Sequence, residues 1–470
     1  MKRLLVSLWH WLDDRLGLGD LLGPALKHLV PRDATWWYVF GSATLVAFIV
    51  QVVTGVALAF SFVPSSSQAY DALRFITDEA PFGRFLRGLH YYGASAMVLM
   101  VGAHMVQTFL FGSYKYPREM NWSTGVLLLG FTIAMGFTGQ LLRWDQTAAW
   151  SVVVAAEQAG RIPLIGDFVA RFILGGTTLG GATLSRFFAI HVFLIPAFMF
   201  GFIGLHVWLV LRHGISEPPV PGKPVDPATY KKEYHDEVER TGVPFWPEGA
   251  WRDFVFGTAL IVGIVVFAFV YGPPPIEKPP DPSILQADPR PDWYLLWYFA
   301  VLALIPPKIE GPVMILAPAL IGVILLLAPI LGNHGERHWS RRPWSLGAVV
   351  IGVLMVGSLW ISGAKSQWSP NFEAAPLPVT IVDASGGIVA EGARIFHDRA
   401  CITCHLIEGQ GGRRGPDLTL VSDRLSENDL VLRIVNGGGN MPAYASILTP
   451  AEVDALVAFL RTRHRAELTK

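Results

Sequence analysis

Seven apolar runs dominate the pattern of hydrophobic and polar positions along this chain. Each run has about the length of 20 residues that an α-helix needs to cross a bilayer. Polar and charged residues gather between the runs and after the last one. The pattern predicts a bundle of seven membrane-spanning helices, at Trp36–Phe60, His90–Phe111, Ser123–Leu141, Phe187–Leu211, Asp253–Tyr271, Pro312–Leu331 and Ser345–Ser362.

The sequence on either side of the runs predicts smaller elements. Leu4–Leu22 alternates apolar and charged residues at helical spacing, which favours an amphipathic helix in contact with membrane lipid or a plain solvated helix. A polar segment with three helical patterns follows the last run. We therefore predict an all-α protein with an N-terminal segment (1–35), a four-span core (36–215), a three-span region (216–365), a linker (366–387) and a small soluble helical domain (388–470).

Composition and charge narrow the class of protein. Of 470 residues, 52% are apolar and 16% are charged, with 37 basic against 37 acidic side chains. This neutral, apolar composition argues against nucleic-acid binding and against disorder. The loops predicted on the same side as the N-terminus hold the larger share of Lys and Arg, which favours a cytoplasmic N-terminus. Seven spans of the cytoplasmic membrane then put the C-terminal domain on the outer side.

The two cysteines of the chain belong to one motif, Cys401-Ile402-Thr403-Cys404-His405. The motif is the pattern for covalent haem c, in which Cys401 and Cys404 bond the porphyrin and His405 ligates the iron. Met441, on a glycine-rich loop, is expected to be the sixth ligand. A thioredoxin-like motif would need a βαβ setting, and a zinc site would need two more close ligands. The segment resembles a class I cytochrome c, a family whose haem is attached outside the cytoplasm.

Two predicted spans carry matched histidines. His90 and His104 lie 14 residues apart, and His191 and His206 lie 15 apart. At about 100° per residue, the members of each couple share roughly one helix face and lie about 21–22 Å apart. Two parallel helices can then hold one haem b between His90 and His191 and another between His104 and His206. A lone membrane histidine is more often a polar contact or part of a proton path, but the doubled pattern favours haem.

Small and basic residues accompany the histidines. Glycines repeat at a 14-residue spacing in the first and third predicted spans, where they either admit a porphyrin edge or allow tight helix packing. These glycines are Gly41, Gly55, Gly125 and Gly139. Three arginines near the histidines are expected to pair with haem propionates or to snorkel to the membrane surface. They are Arg87, Arg118 and Arg186.

Short stretches around these residues carry a family resemblance. They are Phe40-Gly41-Ser42, Gln51-Val52-Val53-Thr54-Gly55, Arg87-Gly88-Leu89-His90, Gly93-Ala94-Ser95, Pro117-Arg118-Glu119 and Arg186-Phe187-Phe188. Residues 1–365 resemble the cytochrome b subunit of cytochrome bc complexes, in the split, photosynthetic-type form with its second polypeptide fused on. The resemblance implies a quinol:cytochrome c oxidoreductase that moves electrons through two haem b and the haem c and translocates protons.

The same resemblance implies partners for the chain. The chain has no spare cysteines for an iron–sulfur cluster, so a separate Rieske iron–sulfur protein is expected. A downstream cytochrome c or another electron acceptor is expected as well. The family also implies a homodimer within a larger complex.

The resemblance points to an outer quinol site and an inner quinone site. Pro291-Asp292-Trp293-Tyr294 stands where the family has Pro-Glu-Trp-Tyr. This implies that Asp292 accepts a proton from quinol and that Tyr294 lines the pocket together with Pro291 and Trp293. A structural proline-rich turn would show the same residues.

The sequence signal for the inner quinone site is weaker. Three polar residues stand where relatives contact quinone, or are solvated residues at helix ends. They are Arg212, His213 and Asp253. Leu142-Arg143-Trp144 departs from the Leu-Pro-Trp of the family, so the resemblance does not fix the conformation of that loop.

Two other functions suit a diheme membrane protein. The first is a membrane anchor that links a dehydrogenase or hydrogenase to quinone without a bifurcating outer site. The second is a conduit that passes electrons from another complex to an acceptor through the C-terminal domain. An anchor has no reason to carry Pro-Asp-Trp-Tyr, and a conduit would not itself oxidise quinol.

Overall fold

The computed structural model describes residues 2–280, 290–305, 307–365, 371, 373–382, 386–437, 441 and 443–465. Among these residues, seven helices are long and apolar enough to cross a membrane, as predicted. We name them spans 1 to 7: Trp36–Ala59, Gly83–Leu110, Glu119–Leu141, Gly181–His213, Trp251–Val270, Gly311–Leu331 and Pro343–Lys365. The fold is that of an all-α, multi-pass membrane protein with a small C-terminal domain.

The N-terminal region forms two helices where the sequence predicts one. Lys2–Leu16 and Leu18–Lys27 are separated at Gly17, whose φ of 60° lies in the left-handed region. That conformation ends the first helix and is easiest for glycine. Leu29–Val30 then forms a short antiparallel pair with Val243–Pro244.

The first compact unit comprises residues 1–281 and 311–355 and contains spans 1 to 6. Span 1 begins with a 3₁₀ turn at Trp36–Tyr38, and span 6 is the main part of helix Pro307–Leu331. Spans 1, 2 and 5 pack together, as do spans 3 and 4. A central apolar cluster of the bundle consists of Ala47, Phe48, Met97, Ile195 and Met199.

Shorter helices and turns connect the spans. In the first unit they are Ala69–Asp78, Gln146–Gly160, Gly166–Leu174, Tyr230–Thr241, Phe245–Gly249 and Trp339–Arg341. In the second unit, residues 282–310 and 356–470, they are Trp293–Leu295 and Leu296–Leu304.

Buried cations cap the carboxyl ends of spans 2, 4 and 6. Arg342 donates to the carbonyls of Phe109 and Leu110, both at 2.8 Å. Arg118 donates to Gly214 O at 2.9 Å, just after span 4. Lys115 donates to Gly332 O at 2.7 Å, just after span 6. These bonds satisfy helix-end carbonyls, which carry partial negative charge.

The C-terminal domain has its own apolar core, centred on the rings of Phe396 and Phe459. Its elements are helices Gly387–Asp398, Cys401–Cys404, Glu427–Asn436 and Pro450–Arg461, the 3₁₀ turn Val421–Asp423, and the paired strands Leu406–Ile407 and Gln410–Gly411. Leu377 and Ile381, which fall in the predicted linker, are buried in this same core. Part of that linker therefore packs as domain structure.

Candidate functional site

The structure brings the four membrane histidines together as two couples. The rings of His90 and His191 lie 6.4 Å apart between centroids at an interplanar angle of 79°. The rings of His104 and His206 have the same separation and the same angle. We call these the first and the second histidine pair. Because the pairs follow in the same order along both helices, spans 2 and 4 run in the same direction.

A π turn at Ile190–Leu194 adjusts the histidine spacing of span 4. The Ile195 N–H bonds to Ile190 O, five residues back, so one extra residue is accommodated in the helix at His191. Pro196 follows and has no N–H to donate to the preceding turn. The extra residue lets a 15-residue spacing in span 4 match the 14-residue spacing in span 2, and π turns are frequent at functional sites.

Each of the four predicted glycines faces one of these histidine rings. A Cβ at Gly139 would lie 2.7 Å from His191 Cε1, and one at Gly55 would lie 3.2 Å from His90 Cε1. Gly41 and Gly125 face His104 and His206, with corresponding distances of 3.2 and 3.5 Å. Gly41, Gly55 and Gly139 therefore make room for the imidazole rings themselves, whereas a Cβ at Gly125 would be in ordinary contact with its ring. The sequence analysis did not predict these contacts.

Threonine hydroxyls hold three of the histidines, and the sequence analysis missed them. Thr54 lies 2.8 Å from His90 Nδ1, Thr138 lies 3.0 Å from His191 Nδ1, and Thr124 lies 2.9 Å from His206 Nδ1. Each threonine directly precedes one of the glycines above. The repeated Thr-Gly dipeptide was the signal in the sequence that could have revealed them.

In the C-terminal domain, Cys401 and Cys404 lie on one short helix and His405 follows directly. His405 Nδ1 lies 2.9 Å from Pro416 O, which leaves Nε2 as the free ring nitrogen. Burial raises the pKa of the Cys401 thiol to about 12. Met441 is half-buried, whereas its neighbours Asn440 and Pro442 lie outside the described residues.

Comparison with known proteins places these sites in a family. The family model "Cytochrome b/b6/petB" matches residues 25–214, "Cytochrome b(C-terminal)/b6/petD" matches 281–380, and "Cytochrome C oxidase, cbb3-type, subunit III" matches 387–460. Cytochrome b6 of Prochlorococcus marinus (strain MIT 9515) is 36% identical over 212 residues, which are 45% of this chain and 97% of that protein. The chain belongs to the cytochrome b/b6 family.

Two further similar proteins agree with the assignment of this chain to the cytochrome b/b6 family. Cytochrome b6 of Synechococcus sp. (strain JA-3-3Ab) is 36% identical over 45% of this chain and 99% of its own length. A solved structure described as "Hyperthermophilic respiratory Complex III" has a TM-score of 0.63 and 28% identity, and the match covers 76% of this chain and 91% of that one. The chain is thus an electron-transfer cytochrome b of the bc type that binds haem and carries a C-terminal cytochrome c domain.

The residues around the histidine pairs of this cytochrome b fit haem. A cavity of about 540 Å³ surrounds the second pair, and Gly41 and Gly125 are part of its lining. Among the residues that the structure describes, His104 Nδ1 is buried there without a hydrogen-bond partner. Facing imidazoles with glycines behind them suit a flat iron porphyrin, since imidazole is a common axial ligand of haem iron.

The three arginines predicted near haem already have partners in the protein. Arg87 donates to the Thr77 hydroxyl at 3.1 Å and to Pro274 O at 2.8 Å. Arg118 donates to the Tyr230 hydroxyl at 2.8 Å as well as to the end of span 4. Arg186 donates to Phe172 O at 2.6 Å. Each arginine therefore has a structural role within the protein, and its pairing with a haem propionate stays a prediction.

The cavity at the second pair distinguishes among the inner-site candidates. Asp253 belongs to its lining and accepts a hydrogen bond of 2.7 Å from the Ser42 hydroxyl. The described lining does not include Arg212, which stacks over Trp208, or His213. His28, which follows the second N-terminal helix, also lines the cavity and had not been predicted.

The Pro291–Tyr294 segment belongs to the second compact unit. The Tyr294 hydroxyl donates to Asp292 Oδ2 at 3.1 Å. Trp360 Nε1 donates to Trp293 O at 2.8 Å and ties the segment to span 7. The side chains of Asp292 and Tyr294 are thus held together at a fixed turn.

The loop that departs from the family pattern has its own stabilising bonds. Arg143 forms an ion pair of 2.5 Å with the fully buried Asp145. The other Asp145 oxygen accepts from Ala148 N at 3.0 Å and caps helix Gln146–Gly160. This charge pair fixes the turn at a position where the family resemblance leads us to expect proline.

Proposed function

We propose that this cytochrome b is the haem-bearing subunit of a quinol:cytochrome c oxidoreductase within a cytochrome bc complex. The main support is that one four-span core contains two histidine pairs of the same geometry. The ring centroids lie 6.4 Å apart in each pair. Bound at these pairs and at Cys401–His405, haem would supply one-electron transfer steps between a two-electron quinol and a one-electron acceptor. The two histidine pairs would hold two haem b. Cys401 and Cys404 would hold one covalent haem c, whose iron His405 and Met441 would ligate.

The chain's own residues then orient the redox groups. Spans 2 and 4 hold the first pair towards the outer side and the second pair towards the inner side of the cytoplasmic membrane. The apolar core between the pairs excludes water along that path. Glycines behind the rings keep the imidazoles at their positions, and Arg87, Arg118 and Arg186 are within the segments proposed to meet the propionates.

At the outer site, we assign proton acceptance to Asp292. Quinol oxidation releases protons, and a carboxylate can take one up and pass it to the outer side. The Tyr294 hydroxyl holds Asp292 Oδ2 at 3.1 Å, which supports a positioned base. Pro291 and Trp293 would shape the pocket.

At the inner site, we assign proton delivery to Asp253. Its carboxylate lies in the wall of the 540 Å³ cavity, held by Ser42. Uptake of protons at this side and release at the other make the reaction proton-translocating. Arg212 and His213 would act at the entrance rather than in the cavity wall.

The proposal includes partners and location. A Rieske iron–sulfur protein would take one electron from quinol and deliver it to the C-terminal domain on the outer side. A downstream cytochrome c or another acceptor would receive it. The Complex III match and the cytochrome b6 relatives support a larger complex, in which we place the chain as a homodimer.

A quinol assay on the purified complex tests this function. The wild-type complex should reduce its own haem c with quinol. Asp292→Asn keeps the size of the side chain but removes the base, so quinol oxidation should fall about 100-fold while all haem spectra stay intact. Asp78→Asn is the control, since Asp78 is an exposed carboxylate that forms a surface ion pair with Arg74 at 3.8 Å.

The assay also separates the rival functions. A wild-type complex with all its haems that cannot oxidise quinol would be a conduit. Quinol oxidation that is unaffected by Asp292→Asn would favour a membrane anchor with a quinone site elsewhere.

A further inference from the structure

Three of the four membrane histidines have Nδ1 within hydrogen-bond distance of a threonine hydroxyl on a neighbouring span. In each case the threonine hydroxyl donates its own proton to a backbone carbonyl of its own helix. Thr54 donates to Val50 O at 2.6 Å, Thr124 to Met120 O at 2.9 Å and Thr138 to Ala134 O at 2.8 Å. Because the hydroxyl proton is committed to the carbonyl four residues back, its oxygen is the acceptor for the histidine Nδ1–H.

This bond fixes the state of the imidazole. With the proton on Nδ1, the lone pair of Nε2 is free to ligate a metal. An acceptor on Nδ1–H also raises the basicity of the ring and makes it a stronger ligand. Thr54, Thr124 and Thr138 are therefore candidates for residues that tune the iron through its ligands.

The fourth position breaks the pattern. The dipeptides Thr54-Gly55, Thr124-Gly125 and Thr138-Gly139 each place a threonine before the glycine that faces a histidine. The fourth dipeptide is Phe40-Gly41, which lies 14 residues before Thr54-Gly55 and faces His104.

Phe40 cannot accept a hydrogen bond through its side chain, and its ring packs against Phe256 at 5.9 Å. Ser42, nearby in sequence, donates its single hydroxyl proton to Asp253 Oδ1 at 2.7 Å, and its oxygen also lies 2.9 Å from Val39 O. Within the described part of the chain, His104 Nδ1 is consequently buried with no partner.

We propose that Thr54, Thr124 and Thr138 are positioning residues for the axial histidines, and that Phe40 leaves His104 as the weakest of the four ligands. This inference rests on the haem ligation of the proposed function and extends it. A weaker ligand stabilises oxidised iron less, so the haem of the second pair is easier to reduce than that of the first. The difference favours electron flow from the first pair to the second.

Redox titration of the b haems in the purified complex tests the inference. Thr124→Val removes the hydroxyl that accepts from His206 and should make one of the two b-haem components easier to reduce. Phe40→Thr supplies an acceptor to His104 and should make that same component harder to reduce. A change of about tenfold in the reduction equilibrium corresponds to about 59 mV for one electron.

Variants at the first histidine pair provide a second, independent test. Thr54→Val and Thr138→Val are nearly isosteric, so they should fold, and both should make the other b-haem component about tenfold easier to reduce. Thr54→Ser keeps the hydroxyl and should retain the wild-type value. Thr132→Val is the control, because the Thr132 hydroxyl donates to Leu128 O on its own helix at 2.9 Å and, among the described residues, contacts no histidine nitrogen.

The outcomes separate the two claims. If the wild-type complex contains no haem b, the proposed ligation is wrong and this inference fails with it. If both b haems are present but Phe40→Thr leaves the component of Thr124→Val unchanged or easier to reduce, the tuning role of position 40 is refuted. Unchanged potentials in Thr54→Val and Thr138→Val would refute the role of the threonines.

Discussion

Single residues that leave almost no space for a larger side chain shape the histidine pairs. Gly139 illustrates this, because a Cβ at that position would lie 2.7 Å from His191 Cε1, closer than side-chain atoms normally approach. The neighbouring Thr138 hydroxyl lies 3.0 Å from His191 Nδ1 and holds the ring against this part of the helix. The ring therefore has little freedom to move away from an added methyl group.

Gly139→Ala should accordingly displace His191. Overpacking of this kind typically costs about 1–3 kcal/mol, and we expect the variant to lose haem from the first pair while it keeps haem at the second. The measurement is haem b per protein after purification. Gly130→Ala, in the same span with open space around it, should retain full haem content. Equal haem content in both variants would show that the glycine contact is unimportant.

At this scale, the sequence predicts positions better than contacts. The 14-residue spacing identifies Gly41, Gly55, Gly125 and Gly139 from periodicity alone. Which group each glycine faces depends on how neighbouring spans pack, and the spacing does not contain that information. Membrane threonines such as Thr138 normally bond to their own helix. A single threonine in the sequence therefore does not predict a bond to a histidine.

At the scale of elements, local irregularities adapt ideal helices to the site. Ideal geometry turns spacings of 14 and 15 residues to different angles, and the π turn at Ile190–Leu194 removes the difference. The length of the apolar runs predicts all seven spans, because an apolar run of about twenty residues is typical of a membrane-spanning helix. It cannot place a single inserted residue, since a π turn and an α turn need the same apolar side chains.

Capping of helix Pro450–Arg461 makes the C-terminal domain sensitive to acid. Glu452 accepts from the backbone N–H of Thr449 at 2.8 Å and from Arg399 at 2.7 Å, and these bonds lower its pKa to about 2. A carboxylate whose pKa is depressed on folding stabilises the fold above its unfolded pKa, and this stabilisation is lost as the pH falls towards 2.

Glu452→Gln should therefore flatten the loss of domain stability between about pH 4.5 and 2. Thermal unfolding of the full complex, followed through haem c absorbance across this range, gives the measurement. Glu427→Gln removes a surface partner of Arg461 that is not part of such a cap and should leave the acid profile almost unchanged. A wild-type profile for Glu452→Gln would contradict the capping account.

For the whole molecule, the junction with the C-terminal domain is shorter than the sequence suggests. Composition predicts a linker at 366–387, but Leu377 and Ile381 pack in the domain core. Asn371 N donates to Thr403 O at 2.7 Å, inside the haem motif. Only 366–370 separate the end of span 7 from that anchor, and five residues reach at most about 20 Å. Through that anchor, the Cys401–His405 motif is therefore joined to the end of span 7 by a short connection in the sequence.

Releasing the packed segment should lengthen this tether. Leu377→Asp puts a charge at a buried position, whereas Val379→Asp changes a residue that is 76% exposed. Spin labels at the end of span 7 and on helix Pro450–Arg461 should report a narrow distance distribution in the wild type and in Val379→Asp. In Leu377→Asp the distribution should broaden while haem c remains bound. A broad distribution in the wild type would mean that the domain moves freely.

The central claim is that two histidine pairs and one Cys401–His405 motif give this chain three haems of two kinds. A pyridine haemochrome spectrum of the purified protein measures both kinds at once. The account predicts haem b and haem c in a ratio of two to one. A ratio of one to one, or the absence of haem b, would contradict it.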